Sequence, residues 1–455
     1  MKKILLLLFL VSFVSNAQYS IKGNLEPAND YKWVLLYKVE GARQTFIKNA
    51  SLKKEEKTIN GKKVTSGSFS FELPANESKG VYRLTYDLQN NGFADVLFNK
   101  ENVDVVINPN LPQVGVKVIS SKENTIYQDY SNQISNEQYK VDSTQVAYLK
   151  QPSVRVANSY QSFLKKLNET QLAYEVKAKN TFAYDFIKAS KRYNSPKVLP
   201  SYDEYIKTAV THFFDHIDFA NENLLKSSFL VDRIADYVFY LNFGQSNSEK
   251  QLYYKRASDK SIARVSNVTF KADVIEFLIS QFAALQNTEI VKYLFNNHFT
   301  KLPKEKQNLE FKQKIEKQLV TAIGNIAPDF SWKENGKEMR LSTLNDGQNY
   351  LLLFYSTGCS HCLREVPQVY SFLKDKTKTK VIAFAMEEKD DVWKNYKKTL
   401  SGWHHVLGLG KWENKIAREY QINSTPTYFI LGTDKKIIAN PEKLEDLKKI
   451  LKQLN

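Results

Sequence analysis

Apolar residues change their spacing along this chain, and each change marks a different kind of structure. After Lys2 and Lys3, residues 4–14 form an apolar run that ends in the small residues Ser15, Asn16 and Ala17. A positive start, a short apolar stretch and a small-residue exit are the pattern of a cleavable export signal, with the cut expected after Ala17. The run is too short to span a bilayer, and no later run reaches spanning length. No cysteine follows the cut, which argues against a lipid anchor. The expectation is a periplasmic protein that does not span the membrane once the signal is removed.

From Gln18 the segments YSIKGNL, KWVLLYKV, GSFSFELP, GVYRLTYDL and FADVLFN alternate or run apolar between Gly, Pro, Asn and Asp. Asn60-Gly61 is a hairpin signal. This predicts an all-β domain over 18–115, an antiparallel sandwich or open barrel. Over 116–322 the spacing becomes helical, as in SYQSFLKKLNETQLAYEVK and KADVIEFLISQFAALQ, punctuated by Pro196, Pro200 and Pro303. Over 323–455 strands and helices alternate. A hairpin is expected around Asn335-Gly336. YLLLFYS and TKVIAFAM read as strands buried on both faces, CSHCLREVPQVYSFLKDK as a helix, HHVLGL as a short strand and KIAREYQ as a helix. TPTYFIL and KKIIAN form a strand pair, and KLEDLKKILKQL is an amphipathic closing helix. Such alternation predicts an α/β sheet covered on both faces. The expected fold class is therefore multi-domain: all-β, then α-helical, then α/β.

Composition narrows the function. A hydrophobic content of 42% and an aromatic content of 13% exclude a disordered chain. The net charge is +16, but the lysines are spread along the whole length with no concentrated basic arm, so no nucleic-acid partner is expected. The 455 residues contain two cysteines, Cys359 and Cys362. A disulfide between them closes too small a loop to brace so long a chain. The pair therefore reads as redox chemistry.

Strand YLLLFYS hands over to the helix at Cys359. Backbone N–H groups and the positive end of the dipole there favour thiolate over thiol. Cys362 lies one turn on, with its thiol turned toward Cys359, more buried and less acidic. Cys359 then attacks a substrate disulfide and Cys362 resolves the mixed disulfide. Glu365, on the same helix face as Cys362, is placed to take its proton. Alternatively, Glu365 is simply a surface glutamate in the favourable first turns of a helix. His361 as a cation would stabilise the thiolate and make the pair more oxidising; as an exposed neutral ring it does little. Pro426 opens a buried strand, a place suited to a cis peptide, and the Thr425 backbone beside it can pair with an extended substrate. Thr425, Pro426 and His361 form the expected substrate-facing set.

In order along the chain, APDF, the strand before CSHC, CSHCLREVP and TPTYFIL resemble the landmarks of the TlpA/ResA-like thiol-disulfide oxidoreductases, within the AhpC/TSA-redoxin superfamily of thioredoxin-like folds. The strand HHVLGL and the helix KIAREYQ match that family's usual insertion. The resemblance covers residues 326–455. It implies a redox pair Cys359–Cys362, a helix acid at Glu365 and a cis-proline at Pro426. It further implies a protein disulfide as substrate, a membrane thiol carrier as electron donor and no cofactor. Two positions depart from the pattern. Gly358 stands where the family usually has Trp, and Leu353 stands where thioredoxin carries a buried acid.

Other candidates are weaker. His212 and His216, with Asp215 and Asp218, have helical metal-site spacing, but the aromatics around them favour a packing face, and no metal is expected. CSHC lacks a second cysteine pair for zinc. APDF also opens peroxidases of the superfamily, yet closely paired thiols favour exchange. The expected activity is reduction of protein disulfides by an exported enzyme. The alternatives are a disulfide oxidase or isomerase, or a binding protein whose N-terminal regions hold a partner while the C-terminal module senses redox state.

Overall fold

The computed structural model describes residues 17–59, 61–111 and 115–454. The expected export signal lies outside them, apart from Ala17. The chain divides into two compact units, Met1–Phe277 and Leu278–Asn455.

The first unit opens with strands β1 (Ala17–Leu25), β2 (Trp33–Glu40), β3 (Arg43–Ser51), β4 (Lys53–Ile59) and β5 (Lys62–Pro74). Strands β6 (Gly80–Asp87), β7 (Gly92–Phe98), β8 (Val103–Ile107) and β9 (Val116–Ser120) follow. They form two sheets, ordered β4-β5-β1-β8-β9 and β3-β2-β6-β7. Alternate residues of both enter one core: Ile21, Phe69, Phe71 and Val105 from the first, Leu36, Tyr82, Leu84 and Val96 from the second. This is a sandwich, antiparallel except where β1 runs parallel to β8. Gly23 makes that pairing possible, because a Cβ there would sit 2.2 Å from the Val105 carbonyl oxygen. The polar strands β3 and β4 carry little apolar alternation, since β3 is mostly exposed, and periodicity does not mark them.

Helices α1 (Lys122–Lys150), α2 (Val154–Lys177), α3 (Ala183–Ala189), α4 (Tyr202–His212), α5 (Glu222–Leu225), α6 (Phe229–Ala235) and α7 (Asn247–Arg264) complete this unit, and α8 (Val268–Ala284) crosses the division. Buried Asn124 at the start of α1 bonds both the N–H and the C=O of Leu97, tying the helices to the sandwich. Helix α4 stops at His212, so His216 lies in the following turn rather than on the expected helix. Phe214 there turns into an aromatic cluster with Phe219 and Tyr237.

The second unit begins with α9 (Thr288–Asn297) and α10 (Leu309–Gln318), followed by the hairpin β10 (Ser331–Glu334) and β11 (Lys337–Arg340). Then come β12 (Asn349–Tyr355), α11 (Ser360–Leu373), β13 (Thr379–Glu387), α12 (Asp391–Tyr396), β14 (His404–Leu409), α13 (Lys415–Glu419), β15 (Thr427–Leu431), β16 (Ile437–Ala439) and α14 (Leu444–Leu454). The sheet order is β14-β13-β12-β15-β16, with β12, β13 and β14 parallel and β15 and β16 antiparallel. This is a thioredoxin-like sheet. Successive residues of β12 feed opposite cores. Leu352 and Phe354 face a cluster with Phe330, Phe384 and Tyr420, while Leu351, Leu353 and Tyr355 face one with Cys362, Val366 and Leu447. Burial on both faces explains the unbroken apolar run of this strand.

Candidate active site

The central strand β12 ends at Tyr355, residues 356–358 make a short loop, and Cys359 caps helix α11. The Cys359 Sγ accepts the N–H of Cys362 at 3.3 Å, so sulfur takes the place usually held by a capping oxygen. The same sulfur lies 3.3 Å from the Thr425 carbonyl oxygen, which accepts the thiol proton. Thr425 precedes Pro426 through a cis peptide, and both are half-buried immediately before β15. Cys359, Thr425 and Pro426 are thus brought together at the C-terminal ends of the parallel strands.

The two sulfurs are chemically unlike. Both are thiols here, Cys359 half-buried and Cys362 fully buried. Burial alone would push the Cys359 thiol up. Its contacts with Cys362 and Thr425, together with the N–H groups of Cys362 and His361 at the helix start, outweigh burial and hold it below the ordinary cysteine value. Burial pushes Cys362 well up, and its hydrogen bond to Cys359 adds to the shift.

Glu365 is half-buried on α11, and its Oε2 accepts the Tyr428 hydroxyl at 2.9 Å. Tyr428 is itself buried in the core cluster that contains Cys362. His361 is exposed and turned to Arg364, whose guanidinium donates to His361 Nδ1 at 3.0 Å.

The sequence did not point to Tyr428, Glu387 or Ser356. Buried Glu387, the last residue of β13, accepts the N–H of Thr357 in the loop before Cys359. Buried Ser356 accepts the N–H of Gly358 on its Oγ at 3.2 Å. Their local signals were weak: an acid at the end of an apolar strand, and small polar residues in a loop.

Elsewhere, the His212 ring stacks on Tyr193 at 4.0 Å, and its Nδ1 pairs with Asp215 at 2.6 Å. Among the described residues no cluster of three or more His, Cys, Asp or Glu is arranged to hold a metal ion. No helix among them is long and apolar enough to cross a membrane.

Residues 323–440 match the model of the AhpC/TSA family. No curated protein matches the chain. Among solved structures, it is similar to a thioredoxin-like protein from Bacteroides caccae, with 18% identity over 58% of this chain and 98% of that one and a TM-score of 0.40. It is also similar to the thioredoxin domain of a thiol-disulfide oxidoreductase from Bacteroides vulgatus, with 23% identity, 30% of this chain, 99% of that one and a TM-score of 0.27. A thiol-disulfide oxidoreductase from Bacteroides fragilis gives 23% identity, 29% of this chain, 100% of that one and a TM-score of 0.26.

Proposed function

We propose, from a thioredoxin-like unit whose residues match the AhpC/TSA family, that the chain is an exported thiol-disulfide oxidoreductase that reduces protein disulfides. The observation that carries this reading is the inequality of the two thiols: Cys359 capped by backbone N–H groups and acidic, Cys362 buried and resistant to ionisation. The proteins of similar structure that are named thiol-disulfide oxidoreductases support it only as analogues of fold.

The Cys359 thiolate attacks one sulfur of a substrate disulfide, forming a mixed disulfide and expelling the other substrate sulfur as thiolate. An extended substrate segment pairs with the backbone beside Thr425. Cys362 then gives up its proton with help from Glu365, held by Tyr428, and attacks Cys359 Sγ. The second substrate thiolate leaves, and the Cys359–Cys362 disulfide remains. Two electrons from a thiol donor at the membrane return the pair to the dithiol. Export rests on the sequence pattern of residues 1–17.

The test is reduction of insulin disulfides by the full mature chain. Wild type turns over with a thiol donor, Cys359→Ser does not, and Cys362→Ser accumulates a mixed disulfide with its client. Full activity in Cys359→Ser would sink the proposal. Partner binding that survives Cys359→Ser would assign residues 18–322 a separate holding role.

A further inference from the structure

Strand β13 continues past the end of β12. Tyr355, the last residue of β12, pairs with Ala385, and β13 runs two residues further to Glu387. The loop 356–358 therefore has no strand partner on that side; the Glu387 carboxylate takes that place. It is 6% exposed. Its Oε1 accepts the Thr357 N–H, and its Oε2 lies 3.5 Å from Ser356 Oγ, at the long end of a hydrogen bond.

Ser356 carries this anchor to Cys359. Its Oγ accepts the Gly358 N–H at 3.2 Å, and its carbonyl oxygen accepts the Cys359 N–H at 3.2 Å. Three consecutive amides, 357 to 359, thus each have a partner, and two of those partners are the Glu387 and Ser356 side chains. Together these hydrogen bonds brace the loop in this conformation. That conformation sets where Cys359 Sγ sits over the first N–H groups of α11.

We propose that Glu387, acting through Ser356, is a positioning residue that holds the loop so that the Cys359 sulfur stays over the start of α11. The proposal rests on the thiol-disulfide reading and adds a part to it.

The test measures Cys359 alkylation across pH, and the reduction potential of the pair, in the full mature chain. Wild type is compared with Glu387→Ala, Glu387→Gln and Ser356→Ala. Glu387→Ala is expected to raise the pH midpoint by about one unit, a tenfold loss of thiolate near neutral pH. In Glu387→Gln the amide oxygen still accepts the Thr357 N–H and the amide N–H₂ donates to Ser356 Oγ, so the midpoint stays at wild type. Ser356→Ala falls between. An unmoved midpoint and potential in Glu387→Ala, with only thermal stability lowered, would overturn the proposal. So would a midpoint lowered in both Glu387 variants, since charge rather than hydrogen bonding would then be at work. Should Glu387→Ala not fold, an unmoved midpoint in Ser356→Ala overturns it equally. A wild-type Cys359 no more acidic than free cysteine would instead sink the functional reading itself.

Discussion

Tyr428 on strand β15 donates its hydroxyl to Glu365 on helix α11 at 2.9 Å, within the packing that surrounds buried Cys362. Burial drives the Tyr428 hydroxyl far up its scale, and the Glu365 carboxylate pushes it further, so the phenol stays a donor at any working pH. The carboxylate is held in one orientation at the resolving thiol's end of the helix.

Removing that donor should slow resolution without touching attack. Tyr428→Phe should lower the rate of mixed-disulfide release by about tenfold, the value of one hydrogen bond to a charged group. Glu365→Gln should lower it by roughly a hundredfold or more, as loss of a general base does. Single-turnover kinetics separate the steps, because the first substrate thiol appears on attack and the second on resolution. Wild-type resolution in Glu365→Gln would remove this residue from the mechanism.

The unequal thiols fix a pH signature. Cys359 has its folded value below the unfolded one of about 8.5, so its ionisation stabilises the reduced fold above that pH. This contribution fades as pH falls through the folded value. Cys362 has its folded value raised, so it favours the fold below about 8.5 and loses that contribution as pH rises through the folded value. At neutral pH one equivalent of iodoacetamide should therefore label Cys359 alone. Comparable labelling of Cys362 in the native protein would contradict the assignment.

Much of this site was legible because its parts are local. A strand, two thiols one helical turn apart and a proline opening a strand all leave marks within a few residues. Tyr428, Ser356 and Glu387 act across strands, and a single sequence shows no register. The same divide runs through the fold. The buried run of β12 announced itself, whereas polar β3 and β4 are strands through their pairing and not through their side chains. The helix expected to carry both His212 and His216 ends at His212, where Phe214 turns into the core.

Gly358 is exposed, and a Cβ there would meet only Ser356 Oγ at 3.7 Å, an ordinary contact. The backbone does not demand glycine at this position. Gly358→Trp should fold with wild-type stability, within about 0.5 kcal/mol, and change KM for protein disulfides more than kcat, because the new ring borders the substrate. A large loss of stability would show that the loop depends on glycine after all.

His405 on β14 donates from Nε2 to the Leu400 carbonyl at 3.0 Å, while its Nδ1 is buried without a hydrogen-bond partner among the described residues. Burial holds the ring below its ordinary value. The fold prefers neutral imidazole, so this contribution is present above the unfolded value of about 6.5 and is lost as pH falls below it. Thermal unfolding from pH 7 to 5 should show a steeper drop in Tm for wild type than for His405→Gln. Parallel profiles would exclude His405 as the source.

Adjacent residues of β12 give the last prediction, because they separate stability from chemistry. Phe354 is buried against Phe384, Tyr420 and Phe429, with ring centroids at 4.9, 5.1 and 6.1 Å, on the face away from the site. Leu353 is equally buried but packs in the cluster that holds Cys362. Truncating either to Ala should cost about 2–5 kcal/mol in denaturant unfolding. Only Leu353→Ala opens space beside the resolving thiol and relieves the burial that keeps it protonated. Cys362 in that variant should alkylate at lower pH than in wild type, while Phe354→Ala should leave its reactivity unchanged. Equal effects of the two on Cys362 would mean that global loosening, and not the packing around this sulfur, sets its acidity.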